Sequence, residues 1–174
     1  MDIQVQSIHK ARRLIADDWP THIISIVNEA GGDFAATVID RQHNDHYIFS
    51  FHDVENDEIT DYVVPTRKDI KDILETAAMV PEDGRLLVHC TAGKSRSTAV
   101  AMGILVQNGL TPQQAFDKVK ALQPSMFPNR LMIEYIDDHL GLGGELLNIV
   151  KTYYAEKLML FPKLVEINRG GYNR

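Results

Sequence analysis

Val88-His89-Cys90-Thr91-Ala92-Gly93-Lys94-Ser95-Arg96-Ser97 decides how this chain folds, because it joins two segments of different character. Before it, Arg85 to His89 (RLLVH) is a short apolar run of strand character. After it, from Ser95 onward, Ala99, Val100, Met102, Ile104 and Leu105 form an almost continuously apolar helical segment, the pattern of a helix buried on most sides. A strand, a loop of small residues and a helix in that order turn the loop's backbone N–H groups toward one centre. Those groups and the helix N-terminus form an anion site.

Cys90 opens the loop, where converging N–H groups and the helix dipole favour a thiolate. Arg96 can fold back over the same centre, and its planar fork suits two phosphate oxygens at once. Ala92 and Gly93 offer little side chain to obstruct a backbone cradle. The plainer reading makes Cys90 a buried structural thiol and Arg96 a surface charge. It leaves the shared strand-loop-helix setting unexplained.

Outward from this segment, DIQVQ (2–6) alternates like a short edge strand, and a short helix follows over His9 to Ala16. HIISIV (22–27) reads as a buried strand, Gly31-Gly32 as a turn, Phe34 to Ile39 as a further strand and Tyr47 to Phe51 as a clearer one. His52 to Asp61 is an acidic loop. Thr66 caps a helix to about Met79, and Thr111-Pro112-Gln113-Gln114 is a capping box opening a helix to about Leu122. Helices over Asn129 to Leu140 and Glu145 to about Leu158 complete the pattern, with Gly141, Gly143 and Gly144 between them. Strands first, then a strand feeding a run of helices, predict an α/β fold: a central, mostly parallel sheet wrapped by helices.

At 174 residues the chain suits one domain, in which about 141–174 forms a C-terminal helical extension. Its net charge of −6 argues against a general nucleic-acid binder. One cysteine excludes an intrachain disulfide and fits a reducing compartment. The N-terminal stretch has no apolar run suited to a signal peptide, and nothing approaches the ~18 apolar residues of a membrane span. The expectation is a soluble cytoplasmic protein.

HCTAGKSRS (89–97) resembles the His-Cys-x5-Arg-Ser/Thr signature of the protein tyrosine phosphatase superfamily, and its AG and SRS resemble the dual-specificity branch. The resemblance extends over roughly residues 20–140. HIISIVNE looks like the strand opening that fold, and Pro128-Asn129 like the pair whose Asn braces the phosphate loop there. It implies a cysteine-phosphatase fold and a two-step hydrolysis of phosphate monoesters without a cofactor or metal. Cys90 would attack phosphorus to give a phosphocysteine. Arg96 and the backbone of Thr91, Ala92, Gly93, Lys94, Ser95 and Arg96 would hold the equatorial oxygens. Ser97 looks like the hydroxyl that helps the thiolate leave, and His89 like the residue that orients the loop and favours the thiolate.

The family's general acid is an Asp on a movable upstream loop. Asp53, Asp57 and Asp61 are the candidates. Asp53 is favoured because it emerges at the end of the strand YIFSF and is followed by VENDE and Ile59, as in dual-specificity phosphatases. The stretch from it to Cys90 is slightly longer than the family's, so Asp57 stays open. Trp19-Pro20 is followed by Thr21 where the tyrosine-specific branch has Asp.

His43, His46 and His52 straddle a loop and a strand, a spacing unlike a metal site. Lys94 matches one of two loop lysines of a phosphoinositide 3-phosphatase, whose other lysine is replaced here by Thr91. The expected substrate is therefore a protein carrying phosphotyrosine or phosphoserine/threonine. A phosphoinositide or inositol phosphate is the alternative. A catalytically silent phosphate-binding module has no need of both Cys90 and Arg96. A rhodanese-type sulfurtransferase does not fit the Arg96-Ser97 ending.

Overall fold

A computed structural model describes residues 1–28, 45–56 and 61–160. The expected turn at Gly31-Gly32, the strand Phe34 to Ile39, His43, Asp57 and Ile59 lie outside these residues. Four strands form one parallel sheet: β1 (Asp2–Ser7), β2 (His22–Val27), β3 (His46–Ser50) and β4 (Arg85–Cys90), in the order β1-β4-β2-β3. Six helices are described: α1 (Ile8–Ala16), α2 (Arg67–Ala78), α3 (Arg96–Gln107), α4 (Pro112–Leu122), α5 (Arg130–Leu140) and α6 (Glu145–Leu160).

Alternation along the strands divides the core. Ile24 and Ile26 of β2, Leu86, Val88 and Cys90 of β4, and Ile3 and Val5 of β1 face the large cluster under the other helices. Ile23 and Leu87 face the opposite way, onto Ile8, Ala11 and Ile15 of α1, with Trp19 alongside. Both faces of the sheet are covered, as parallel sheets require.

α3 runs through the middle, with Arg96 to Leu105 all buried. Truncating Met102 or Ile104 to Ala there would cost about 2–5 kcal/mol. Capping boxes at Thr66 and Thr111 start α2 and α4 where the sequence places them. Gly141, at φ 65°, ends α5 in the left-handed conformation that glycine adopts without strain. α6 buries Leu146, Val150 and Tyr153 in the large cluster, and the Tyr153 hydroxyl donates to Met126 O at 3.0 Å. No helix of the described residues is long and apolar enough to cross a membrane.

Candidate active site

β4 is an inner strand, and its carboxyl end carries the loop into α3. Ser7, the last residue of β1, pairs with Cys90 in register. The loop is pressed against that neighbour: Ile8 N–H donates to Thr91 O at 3.2 Å. Gly93 has φ +70°, and a Cβ there would lie 2.3 Å from Ser7 N and 2.4 Å from Gln6 C. Only glycine fits, which explains one residue of the motif by contact rather than by chemistry. From the other side Phe127 N–H donates to Lys94 O at 2.8 Å, and the Thr98 hydroxyl meets Lys94 O and Ser95 O, each at 2.7 Å.

Cys90 is buried, 1% exposed. Its Sγ accepts from Gly93 N–H at 3.2 Å and lies 3.2 Å from Ser97 Oγ. Ser95, the residue before α3, makes no side-chain cap to the helix. Its hydroxyl donates instead to Asp53 Oδ1 at 2.6 Å. The Ser95 side chain therefore does not compete for the helix's first N–H groups.

Arg96 is 2% exposed. Its Nη1 donates to Phe51 O at 2.7 Å and to Asn28 Oδ1 at 2.8 Å, fixing one edge of the guanidinium. The side-on edge is freer: Nη2 lies 3.3 Å from Thr91 Oγ1, and the buried Nε has no hydrogen-bond partner among the described residues. Nε lies 3.9 Å from Asp53 Oδ2.

Asp53 Oδ1 accepts from both Ser95 Oγ and Asn129 Nδ2, the latter at 2.9 Å. Two donors thus occupy Oδ1, while Oδ2 faces the Arg96 guanidinium. Asp61 is exposed. Asn129 reaches the acid loop rather than the phosphate loop with its side chain, donating also to Val54 O at 3.0 Å. It meets the phosphate loop only through a long backbone contact to Ser95 O, 3.5 Å. Lys94 is exposed at the rim, as are Thr91 and Ala92.

His89 is completely buried, with Nε2 2.6 Å from Ser25 Oγ; the same hydroxyl lies 2.7 Å from His46 Nε2. Burial above all, then the neighbouring His46, lowers the His89 pKa from 6.5 to about 4, so its ring is neutral near pH 7. His52 Nδ1 accepts from Val63 N–H at 3.1 Å. His46 and His52 thus serve separate protein contacts. Ser25 and Asn28 are site neighbours that the sequence reading missed, and His46, weighed there only as a metal ligand, is a third. No local spacing links them to the loop, although Ser25 is a polar residue inside an otherwise apolar strand.

A buried thiol, a buried guanidinium with an open edge, and a carboxyl held beside it can bind a phosphate and exchange its ester oxygen for water. No family model matches the chain. It is 38% identical over 58 residues to dual specificity protein phosphatase 1 of Arabidopsis thaliana, a match covering 33% of this chain and 29% of that protein. It is 26% identical over 110 residues to tyrosine-protein phosphatase YVH1 of Saccharomyces cerevisiae, covering 63% of this chain and 30% of that protein. The chain thus spans less than a third of the length of both curated relatives. Among solved structures it resembles DUSP15 with a TM-score of 0.62 and 20% identity, over 86% of this chain and 90% of that one, a likeness of fold.

Proposed function

We propose that the chain is a dual-specificity-like member of the protein tyrosine phosphatase superfamily and that it hydrolyses phosphate monoesters through a phosphocysteine on Cys90. Arg96 is the observation that carries this reading. A buried cationic N–H without a partner is costly. Two oxygens of a phosphate on Cys90's side would satisfy Nε and Nη2 together.

In the first step Cys90 Sγ bonds to phosphorus as the P–O ester bond breaks. The loop N–H groups and the Arg96 edge take the equatorial oxygens. Asp53 Oδ2 gives its proton to the leaving oxygen. In the second step water attacks phosphorus, its proton passes to the Asp53 carboxylate, and the S–P bond breaks. Ser97 Oγ hydrogen-bonds the departing sulfur.

The substrate class we favour is a phosphoprotein, phosphorylated on tyrosine or serine/threonine, in keeping with the names of both curated relatives. Lys94 favours a second reading, a phosphoinositide or inositol phosphate, because an exposed cation on the phosphate loop suits further phosphate groups. Cys90→Ser tests the mechanism. It should abolish hydrolysis of a generic aryl phosphate while vanadate still binds, and retained turnover would refute it.

A further inference from the structure

The start of α5 grips the acid loop residue by residue. Asn129 holds Asp53 and Val54, as described. Arg130 takes the next residue, Glu55: its backbone N–H donates to Glu55 Oε1 at 2.9 Å, its Nε to Oε2 at 2.9 Å and its Nη2 to Oε2 at 2.5 Å. The Glu55 hydrogen bond is the main reason the Arg130 pKa is raised. This is a fork-to-carboxylate pair with a backbone donor added, on side chains only 35% and 31% exposed.

Arg130 is backed in turn by α6. Its guanidinium carbon lies 5.1 Å from the centroid of the Tyr154 ring. Tyr154 donates its hydroxyl to Pro128 O at 3.0 Å and meets Phe127 edge-on, with centroids 5.8 Å apart. Burial pushes the Tyr154 phenol far up, so it stays a donor. Phe127 N–H is itself bonded to the phosphate loop at Lys94 O. The run from Phe127 to Arg130 therefore touches the phosphate loop, the acid loop and the C-terminal helix at consecutive positions.

We propose that Arg130 is a positioning residue for Asp53, clamping Glu55 so that the segment Asp53 to Glu55 is already set beside the phosphate loop, with Tyr154 making α6 the clamp's backing. The proposal rests on the phosphatase reading with Asp53 as acid. A proton donor works only within hydrogen-bond reach of the leaving oxygen, and a displacement of ~1 Å costs about a hundredfold. Glu55 stands two residues from that donor. The bland alternative is that Glu55 merely caps the α5 N-terminus. That role affects folding and leaves proton donation alone.

Leaving-group dependence separates the two. Turnover would be measured for wild type, Asp53→Asn, Arg130→Met, Glu55→Gln and Tyr154→Leu on phenyl phosphate and on a fluorinated umbelliferyl phosphate, whose phenol leaves readily. Vanadate inhibition and melting temperature would be read in parallel. Arg130→Met should lose about tenfold more kcat on phenyl phosphate than on the activated ester, with vanadate binding kept within about threefold. Glu55→Gln, which keeps its size and guards against a misfolded Arg130 variant, should shift the same ratio. Tyr154→Leu should shift it less. An unchanged ratio in both Arg130→Met and Glu55→Gln overturns the proposal, whatever happens to the melting temperature. If Asp53→Asn shows no leaving-group dependence, the acid assignment falls and takes this proposal with it.

Discussion

Ser25 Oγ stands 2.6 Å from His89 Nε2, on the face of the sheet turned away from the Cys90 thiol. One hydroxyl there lies within hydrogen-bond reach of two imidazoles, His89 and His46. His89 must stay neutral to remain buried, and that links folding to pH. Its folded pKa of about 4 lies below the ordinary 6.5, so between those values the unfolded chain binds more protons. Stability should be fully present above about pH 6.5 and fall as pH drops toward 4, by up to about 3 kcal/mol from this group. Denaturant midpoints at pH 7 and pH 5 should differ less in His89→Asn than in wild type. An equal difference would mean that His89 does not carry the effect.

Asp53→Asn should lower turnover on an unactivated aryl phosphate by about a hundredfold or more and should flatten the basic limb of the pH–rate profile. Asp57→Asn should leave both nearly as they are. The opposite pattern would move the acid to Asp57.

Ser97 Oγ lies 3.2 Å from Cys90 Sγ, close enough to stabilise a departing thiolate. Losing a hydrogen bond to a charged group costs about 1.5–3 kcal/mol, so Ser97→Ala should slow the second step roughly tenfold to a hundredfold. Rapid-quench kinetics should then show a burst of released alcohol and an accumulating phosphoenzyme. A slowed first step without a burst would place Ser97 elsewhere in the cycle.

Gly93→Ala should be far worse than its size suggests. Its Cβ would strike the β1 backbone, and a left-handed residue adds about 1–2 kcal/mol of strain. Loss of vanadate affinity together with a lowered melting temperature is expected. A variant that keeps both would show that the contact with β1 relaxes easily.

Lys94→Ala distinguishes the substrate classes. If a phosphoinositide or inositol phosphate is the substrate, kcat/KM should fall markedly more on it than on a phosphopeptide. A uniform, small loss across a panel of both would favour the phosphoprotein reading.

Much of the frame was legible because its signals are local. The boxes at Thr66 and Thr111, the apolar run after Ser95 and the glycine closing α5 each act within a few residues. Boundaries moved by a residue or two: β3 starts at His46, and Phe51 lies just past its end, lending its carbonyl to Arg96. What escaped the sequence were partnerships across distant segments. Asn28 with Arg96, Ser25 with His89 and Glu55 with Arg130 are set by the way strands and helix ends meet, which leaves no periodic trace. Asn129 shows the same limit. Its position followed from the motif, but the direction of its amide, toward Asp53, needed the fold.

The pairing of β1 with β4 bears on how the molecule comes to be. Asp2 lies beside Arg85 and Ser7 beside Cys90, although α1, β2, β3 and α2 intervene along the chain. Joining such remote segments loses chain entropy before any contact rewards it, which slows folding. The Cys90–Ser97 loop leans on that seam at Gly93. During refolding, activity should return in the slowest phase, after most of the helical signal has recovered.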